Sequence, residues 1–376
     1  MSRRPSSRRP LLVGIGTVLA LSLAVACGSP TSGGGSAGGG TTAADGVYAE
    51  VGPMTGDERR ARLVELAAQE GKTLSIYTSL NADIADIVIP AFEQQFGIHV
   101  ELYRADSETI LQRTLQESSA NFAGADIVET NANEMAVIAG QGLTGDYEGE
   151  QRNKVNEQFR YDAWTPTRFN IFAPAWNTQR VSGDLIPKSW LDLADPKYDG
   201  LISLEVGDYD WYMTLYGYLQ KQGMSDSQID QYFADLVHGA KISKGHSGQV
   251  ELLSAGEFGV VAASYSYLTA KARTAGAPVD DQPFVQPVIA RANGGGPLRS
   301  AVHPGTAMLF MDWFLEEGQA LILDNGLTPA VMPDGTDPLG GLQVEPVDAQ
   351  KLVDEGRNWS DRYDQLVQGG EQVASN

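Results

Sequence analysis

Apolar and polar residues alternate with two different periods along the chain, and the change between these periods predicts alternating strands and helices. Residues 73–78, TLSIYT, form a predicted strand, and after Asn81 the apolar residues recur at helical spacing as far as Gly97. Residues 98–103 alternate like a second strand, and another helical stretch separates them from a short apolar strand at 125–129. This order predicts a parallel sheet covered by helices.

The same order returns in the second half of the chain. Further strands are predicted at residues 170–176, 201–205, 240–244, 259–264 and 284–290. Helices are predicted at residues 210–222, 267–274, 306–315 and 319–324. A further helix is predicted to begin at a capping box formed by Ser225 and Gln228. The chain is long enough for two such lobes with separate cores, and the last strand would return to the first lobe.

The N-terminus has the features of a secretory signal. Residues 1–10 hold four arginines and no acidic residue, and an apolar run of 16 residues follows them. That run is shorter than the roughly 20 residues that a membrane-spanning helix needs. The paired arginines are compatible with either general or twin-arginine export. We therefore expect residues 1–26 to be a cleaved signal peptide.

Cys27 follows the apolar run directly and is the only cysteine of the chain. The segment that ends at this cysteine resembles the lipobox of bacterial lipoproteins, in which the cysteine thiol is acylated. Residues 27–45 are rich in Gly, Ser and Thr, which predicts a flexible tether. We expect a secreted protein that is lipid-anchored at Cys27 to the outer face of the bacterial cytoplasmic membrane.

The formal net charge of −21 excludes nucleic acid as a partner, because an acidic surface repels phosphates. No paired Cys and His spacing and no HExxH motif is present, which argues against a zinc hydrolase. We expect a monomer that is not an enzyme.

Several segments in a fixed order resemble the solute-binding proteins of bacterial ABC importers, in the branch typified by ferric iron binders. They span roughly residues 70–332 and read LSIYTSLN, IVIPAFEQQFGIHVELYRADS, GADIVETNANEM, APAWNTQRV, IPKSWLDLADPKYDGLISLE, LLSAGEFGVVAASYSYL and MLFMDWFLEEGQALILDNGLTPA. The resemblance implies a type II periplasmic-binding-protein fold. In this fold two lobes, each a mixed and mostly parallel sheet flanked by helices, are joined by crossing hinge strands.

The resemblance also implies the division of the chain and its partners. The expected segments are 46–174 for the first part of lobe 1, 175–284 for lobe 2, 285–332 for the return to lobe 1, and 333–376 for a C-terminal helical segment packing on the lobes. The hinge strands are expected near 173–177 and 282–285. The implied partners are a small-molecule or metal solute, a membrane permease and its ATPase.

In open parallel sheets, ligands bind beyond the carboxyl ends of the strands, where helices begin with free amides. This rule singles out Asp106, Ser107, the segment 208–212 and His246 in addition to the residues that we predict to bind the solute. The predicted ligand-binding residues are Ser79, Asn81, Thr130, Asn131, Tyr209, Trp211, Ser247, Tyr265 and Tyr267. The alternative for each polar residue is ordinary helix capping.

The resemblance implies a ferric site made of consecutive tyrosines, a histidine after the first strand and a glutamate after the third. In this chain Ser266 separates Tyr265 from Tyr267, Asn81 stands at the histidine position, and Thr130 stands at the glutamate position. Tyr265 and Tyr267 are the metal-ligand candidates if ferric iron is the transported solute. No resident cofactor is expected.

Other solutes and functions stay open at the level of sequence. Tyr209 and Trp211, beside two acids, would suit an organic cation such as a polyamine. Helix N-termini with Arg168 or Arg299 as a clamp would suit a phosphonate or a sugar phosphate. The segment GHSGQ at 245–249 resembles a serine-hydrolase nucleophile motif without its final glycine, and a surface adhesin is a third class.

Overall fold

A twelve-stranded sheet runs through both lobes of the computed structural model, which describes residues 42–372. The strands are β1 Thr73–Thr78, β2 His99–Arg104, β3 Ile127–Asn131, β4 Thr165–Asn177, β5 Ile202–Glu205, β6 Lys241–Ser243, β7 Val260–Tyr265, β8 Val279–Asp280, β9 Val288–Pro297, β10 Thr328–Pro329, β11 Val344–Pro346 and β12 Glu371–Gln372.

Twelve α-helices accompany the sheet within the same residues. They are α1 Ala43–Val51, α2 Gly56–Gln69, α3 Ala82–Phe96, α4 Ser107–Ser119, α5 Ala132–Gly140, α6 Tyr209–Lys221, α7 Asp226–Val237, α8 His246–Ala255, α9 Ser266–Thr274, α10 Pro304–Phe314, α11 Glu317–Asp324 and α12 Ala349–Val367. The predicted capping box is present, since Ser225 and Gln228 satisfy each other's backbone amides at the start of α7. No helix between residues 42 and 372 is both long and apolar enough to cross a membrane.

Each lobe has the predicted mixed, mostly parallel sheet. In lobe 1 the strand order is β2-β1-β3-β9-β4, with β1 parallel to β2 and β3 and with β9 antiparallel to β3 and β4. In lobe 2 the order is β4-β7-β5-β6-β12, with β5 parallel to β6 and β7. The predicted two-lobed α/β fold is therefore confirmed.

Two long strands join the lobes. The first half of β4 pairs with β9 in lobe 1, and its last residues pair with β7 in lobe 2. The second strand, β9, begins at Val288, shortly after the segment 282–285 in which a hinge was predicted. Pro283 and Pro287 precede β9, and a proline has no amide hydrogen to donate to a strand ladder.

The tether prediction also needs a correction at its end. Helix α1 begins at Ala43, because Thr42 and Asp45 form a capping box at its N-terminus. Tyr48 of this helix donates a hydrogen bond to the carbonyl oxygen of Leu298 at 2.7 Å, which fixes the helix on lobe 1. The rest of the predicted tether, the signal peptide and Cys27 lie outside the described residues.

Separate apolar cores support the lobes. In lobe 1, Phe92 of α3 packs edge-on against Phe310 of α10. In lobe 2, the core centres on Trp190, Trp211 and Phe233. Helix α12 contacts α6 of lobe 2 and α5 of lobe 1. Each lobe therefore has its own apolar core, which supports its part of the sheet.

Candidate functional site

A cavity of about 610 Å³ lies between the lobes, at the carboxyl ends of β1, β3, β5 and β7. This is the position at which ligands bind in open α/β sheets. Its lining residues are Ser79, Asn81, Arg104, Ala105, Asp106, Ser107, Glu108, Asn131, Arg168, Asn170, Glu205, Gly207, Asp208, His246, Tyr265, Tyr267, Arg291, Asn293 and Leu327.

Five of the nine predicted ligand-binding residues line this cavity. They are Ser79, Asn81, Asn131, Tyr265 and Tyr267. Each stands at or just after the end of a strand, where the following helix begins. The topological rule therefore leads to the edge of the sheet at which this cavity lies in both lobes.

Three further predicted residues do not line the cavity, because their side chains belong to the interior. Thr130 is fully buried within β3, and its hydroxyl has no partner among the described residues. Trp211 is fully buried and packs against Trp190 in the core of lobe 2. Tyr209, the first residue of α6, is half-buried, and its hydroxyl accepts a hydrogen bond from Asn133 of α5 at 3.3 Å.

Ser247 also lies outside the cavity, although its neighbour His246 lines it. Gly245 adopts a φ of +83° directly before α8, which begins at His246. Ser247, the second residue of this helix, is exposed to solvent. The imidazole of His246 pairs with Asp208 and stacks on the ring of Tyr265. The geometry therefore gives Ser247 no place in a catalytic triad built on this histidine.

Both tyrosines of the cavity are hydrogen-bonded within the protein. The Tyr265 hydroxyl accepts a hydrogen bond from the guanidinium of Arg291. The Tyr267 hydroxyl accepts one from the amide of Asn81 at 2.8 Å, which links the two lobes. Burial raises the pKa of both phenols above the ordinary value. Burial therefore favours the neutral phenol form of both side chains.

Two buried arginines lie on the cavity wall, and each has its own carboxylate. Arg168 of β4 pairs with Glu129 of β3. Arg291 of β9 pairs with Asp210 of α6, with 2.7 Å between Nη1 and Oδ2. Arg299, the other predicted clamp, pairs instead with Asp45 and is not part of the wall.

Sequence reasoning missed Arg291, Asn293 and Glu205. A usable signal existed for Arg291, because a single arginine interrupts the apolar run VIARANGGG. A charge within a buried strand needs a charged or hydrogen-bonding partner, and such partners cluster at functional sites. Glu205 ends a short strand and belongs to no motif.

Glu205, Asp208 and His246 form an acidic corner of the cavity on lobe 2, and one ligand atom of each lies within 4.8 Å of the others. The Nε2 atom of His246 lies 3.0 Å from Oδ1 of Asp208. Burial raises the pKa of Asp208 to about 7, although His246 opposes the shift. Burial lowers the pKa of His246, but Asp208 more than offsets this and raises it above the ordinary value.

The cavity wall also carries several unpaired polar atoms. Ten buried side-chain nitrogen or oxygen atoms between residues 42 and 372 have no hydrogen-bond partner in the protein. Four of them belong to cavity-lining residues: Ser79 Oγ, His246 Nδ1, Arg291 Nε and Asn293 Oδ1. Buried polar atoms are normally satisfied, and exceptions call for a functional explanation. This wall can therefore bind a small polar or charged solute.

Comparisons with known proteins agree with this geometry. The model of a family described as bacterial extracellular solute-binding protein matches residues 125–342. The Fe(3+)-binding periplasmic protein of Serratia marcescens is 22% identical over 301 residues, which are 76% of this chain and 88% of that protein.

Solved structures share the fold. The periplasmic binding protein AfuA from Actinobacillus pleuropneumoniae, with fructose-6-phosphate bound, has a TM-score of 0.66 and 19% identity, covering 79% of this chain and 99% of that one. Iron-bound HitA from Pseudomonas aeruginosa has a TM-score of 0.64 and 18% identity, covering 77% and 99%. The resemblance that the sequence motifs indicated is therefore confirmed.

Proposed function

This chain belongs to the bacterial extracellular solute-binding protein family, and we propose that it is the receptor of an ABC importer for ferric iron or an iron complex. The receptor captures the solute between its lobes and delivers it to a membrane permease and its ATPase. Members of this family are binding proteins of transporters, and we propose no catalytic activity.

One observation carries the proposal. Four of the unpaired buried polar atoms sit on the wall of one cavity, between two lobes that each contribute to it. An unpaired buried polar atom costs roughly 1–3 kcal/mol, and closure around a solute that supplies the missing hydrogen-bond partners would offset that cost. The Serratia marcescens relative and the iron-bound HitA support iron as the cargo.

Contacts across the cavity support a mechanism of closure around the solute. Asn81 of lobe 1 donates a hydrogen bond to Tyr267 of lobe 2, and Asp83 pairs with Lys271 beside it. A solute that touches both lobes stabilises the conformation in which these contacts form. The permease would then recognise the two lobes in that arrangement.

The proposal includes a lipid anchor at Cys27. An anchored receptor on a flexible tether has a raised effective concentration at its permease. We expect Cys27→Ser to release the protein from bacterial membranes into the medium, as measured by immunoblotting of the two fractions. Retention of this variant in the membrane fraction would contradict the anchor.

The receptor role is tested by thermal melting of the full chain in detergent. Ferric nitrilotriacetate or ferric citrate should raise the melting temperature with concentration, by the equivalent of about 2.7 kcal/mol at one hundred times Kd. Asn293→Ala on the cavity wall should weaken this rise, whereas the matched change Asn325→Ala at an exposed position should not. The absence of any rise with wild-type protein would argue against iron as the cargo.

A phosphorylated solute is the second candidate. Arg104, Arg168 and Arg291 line the cavity together with the N-terminal residues of α4. Helix N-termini and guanidinium groups are common phosphate ligands. The AfuA neighbour has fructose-6-phosphate bound. Stabilisation by glucose 6-phosphate but not by ferric compounds would favour this cargo over iron.

The organic-cation hypothesis loses its basis. Trp211 is buried in the core, and the Tyr209 hydroxyl accepts a hydrogen bond from Asn133. Neither aromatic ring lines the cavity. We therefore do not propose a polyamine as the solute.

A further inference from the structure

Three metal-ligand side chains meet on the lobe 2 wall of the cavity, although they come from distant parts of the chain. Glu205 ends β5, Asp208 precedes α6, and His246 is the first residue of α8. Their nearest ligand atoms lie within 4.8 Å of one another. The 3.0 Å between His246 Nε2 and Asp208 Oδ1 is close to the spacing of two ligands that share one ion at about 2.1 Å each.

No lysine or arginine among the described residues balances the charge of these carboxylates. Among the described residues, neither Glu205 nor Asp208 forms an ion pair with lysine or arginine, and His246 is the one basic partner of Asp208. Glu205 accepts hydrogen bonds from the backbone amides of Gly207 and Gly245. A carboxylate has about four lone-pair positions, so these amides leave room for a cation.

The surrounding wall points to a ligand independently of the acidic groups. Asn293 is 1% exposed and lines the same cavity, and its Oδ1 atom has no partner among the described residues. The Nδ1 atom of His246 is also buried and unpaired. Oxygen and imidazole nitrogen atoms together form a set of hard to intermediate metal ligands. Such a set binds iron more readily than it binds metals that prefer thiolate ligands.

The tyrosines are the poorer metal ligands in this geometry. The Tyr265 hydroxyl accepts a hydrogen bond from the guanidinium of Arg291. The Tyr267 hydroxyl accepts a hydrogen bond from the side-chain amide of Asn81. The hydroxyls of both residues are therefore already engaged with groups that donate hydrogen bonds.

We propose that Glu205, Asp208 and His246 form the metal subsite of the cavity and hold the ferric ion in place of a tyrosine pair. This assignment rests on the proposed function, since it names the residues that bind the iron cargo. Three protein ligands leave coordination positions open for water or for the anion of an iron complex. An incompletely enclosed ion of this kind can also be released to a permease.

The test is a titration of the full chain in detergent with ferric nitrilotriacetate, measured by calorimetry and by visible absorption. The subsite variants are Glu205→Gln, Asp208→Asn and His246→Gln. Glu251→Gln is the matched control, because it removes an exposed acid from α8, the helix of His246, at a position that does not line the cavity. Tyr265→Phe and Tyr267→Phe remove the rival ligands, and thermal melting without metal checks that each variant folds.

We expect each subsite variant to bind ferric iron about 100-fold more weakly, with Glu251→Gln little changed. The tyrosine variants should lose less than about 10-fold, which corresponds to one hydrogen bond. The ferric complex should lack the visible charge-transfer band of a phenolate–iron bond. Because His246 is partly exposed, His246→Gln is the variant that should fold even if a change at Asp208 does not.

Several results would overturn the subsite without touching the receptor role. A phenolate–iron band, or loss of binding in Tyr265→Phe with retention in the subsite variants, would place the ion at the tyrosines. An equal loss in Glu251→Gln and Glu205→Gln would mean that only the overall negative charge matters. Binding of glucose 6-phosphate without binding of ferric iron would remove the subsite and leave the second cargo. Binding of neither would overturn the proposed function itself.

Discussion

The two walls of the cavity treat charge in opposite ways. On the wall formed by the long strands β4 and β9, Arg168 and Arg291 are buried, and each is neutralised by its own acid, Glu129 or Asp210. On the lobe 2 wall, Glu205 and its neighbours have no lysine or arginine partner among the described residues. The charges of the first wall are therefore balanced within the protein, whereas the carboxylates of the second wall can attract a cation.

We infer from this difference that the charged residues of the first wall stabilise the fold, whereas those of the second wall bind the solute. A buried ion pair gives little net stability, but removal of one partner leaves an uncompensated charge and is costly. An unpaired carboxylate beside a cavity instead keeps its attraction for a ligand. Changes on the first wall should therefore be seen in folding, and changes on the second wall in solute binding.

The largest expected effect is at the first wall. Glu129→Ala should lower the free energy of unfolding by roughly 3–5 kcal/mol, because Arg168 would stay buried without its partner. Urea denaturation of the full chain measures this change. The exposed pair of Lys221 and Glu345 provides the control, since Lys221→Ala should cost about 0–1 kcal/mol. A similar small cost for Glu129→Ala would contradict the assignment of a structural ion pair.

Glu134 of α5 is a buried carboxylate outside the acidic corner, and it tests the cost of a buried charge at a second position. It is 7% exposed, and burial raises its pKa to about 7, while the positive charge of Arg291 opposes the shift and Glu108 adds to it. The folded protein binds this proton more tightly than the unfolded chain, so wild-type stability should fall as the pH rises from about 4.5 to 7.

Glu134→Gln should remove this pH dependence. At pH 8 the variant should be more stable than the wild type by up to about 3 kcal/mol, whereas at pH 4 the two should be equal. Urea denaturation at both pH values measures the difference. A variant that is no more stable than wild type at pH 8 would show that the buried carboxylate carries no such cost.

A smaller effect is expected for the hydrogen bond that links the lobes. Tyr267→Phe removes the acceptor for Asn81 and should weaken solute binding by about 5-fold, which corresponds to about 1 kcal/mol. Because the bond forms between lobes, unfolding of the solute-free chain should change less than binding. An affinity identical to wild type would mean that this contact has no part in closure.

The smallest effect is expected for the neighbouring ion pair of Lys271 and Asp83, which is exposed on both sides. Lys271→Ala should change solute affinity by less than about 1 kcal/mol, and added salt should abolish the difference. Calorimetric titration at two salt concentrations measures it. A large and salt-independent loss would mean that this pair acts as a latch.

The sequence predicts the fold and the edge of the sheet at which the cavity lies, because both follow from periodicity and strand order. It is weaker at the level of side chains, as two similar strand-to-helix junctions illustrate. At SYSY, Tyr265 and Tyr267 do line the cavity. At GDYDWY, Asp208 lines the cavity, but Trp211 starts a core face that continues through Leu215 and Leu219 at helical spacing. That spacing was a usable signal.

The acidic corner lies beyond what one sequence can predict. Glu205 and Asp208 are close in the chain, but His246 is forty residues away and reaches them only because β5 and β6 pair in parallel. The ion pair between Arg291 and Asp210 depends on the same tertiary arrangement, since β9 carries the arginine into contact with α6. Periodicity does not encode such distances.

The central claim is that the lobe 2 wall of the cavity binds the cargo. Crystals of the full chain with ferric nitrilotriacetate, measured on both sides of the iron absorption edge, test it most directly. We predict an anomalous peak within about 2.0–2.4 Å of ligand atoms of Glu205, Asp208 and His246. A peak between the hydroxyls of Tyr265 and Tyr267, or no iron in the cavity, would contradict the claim.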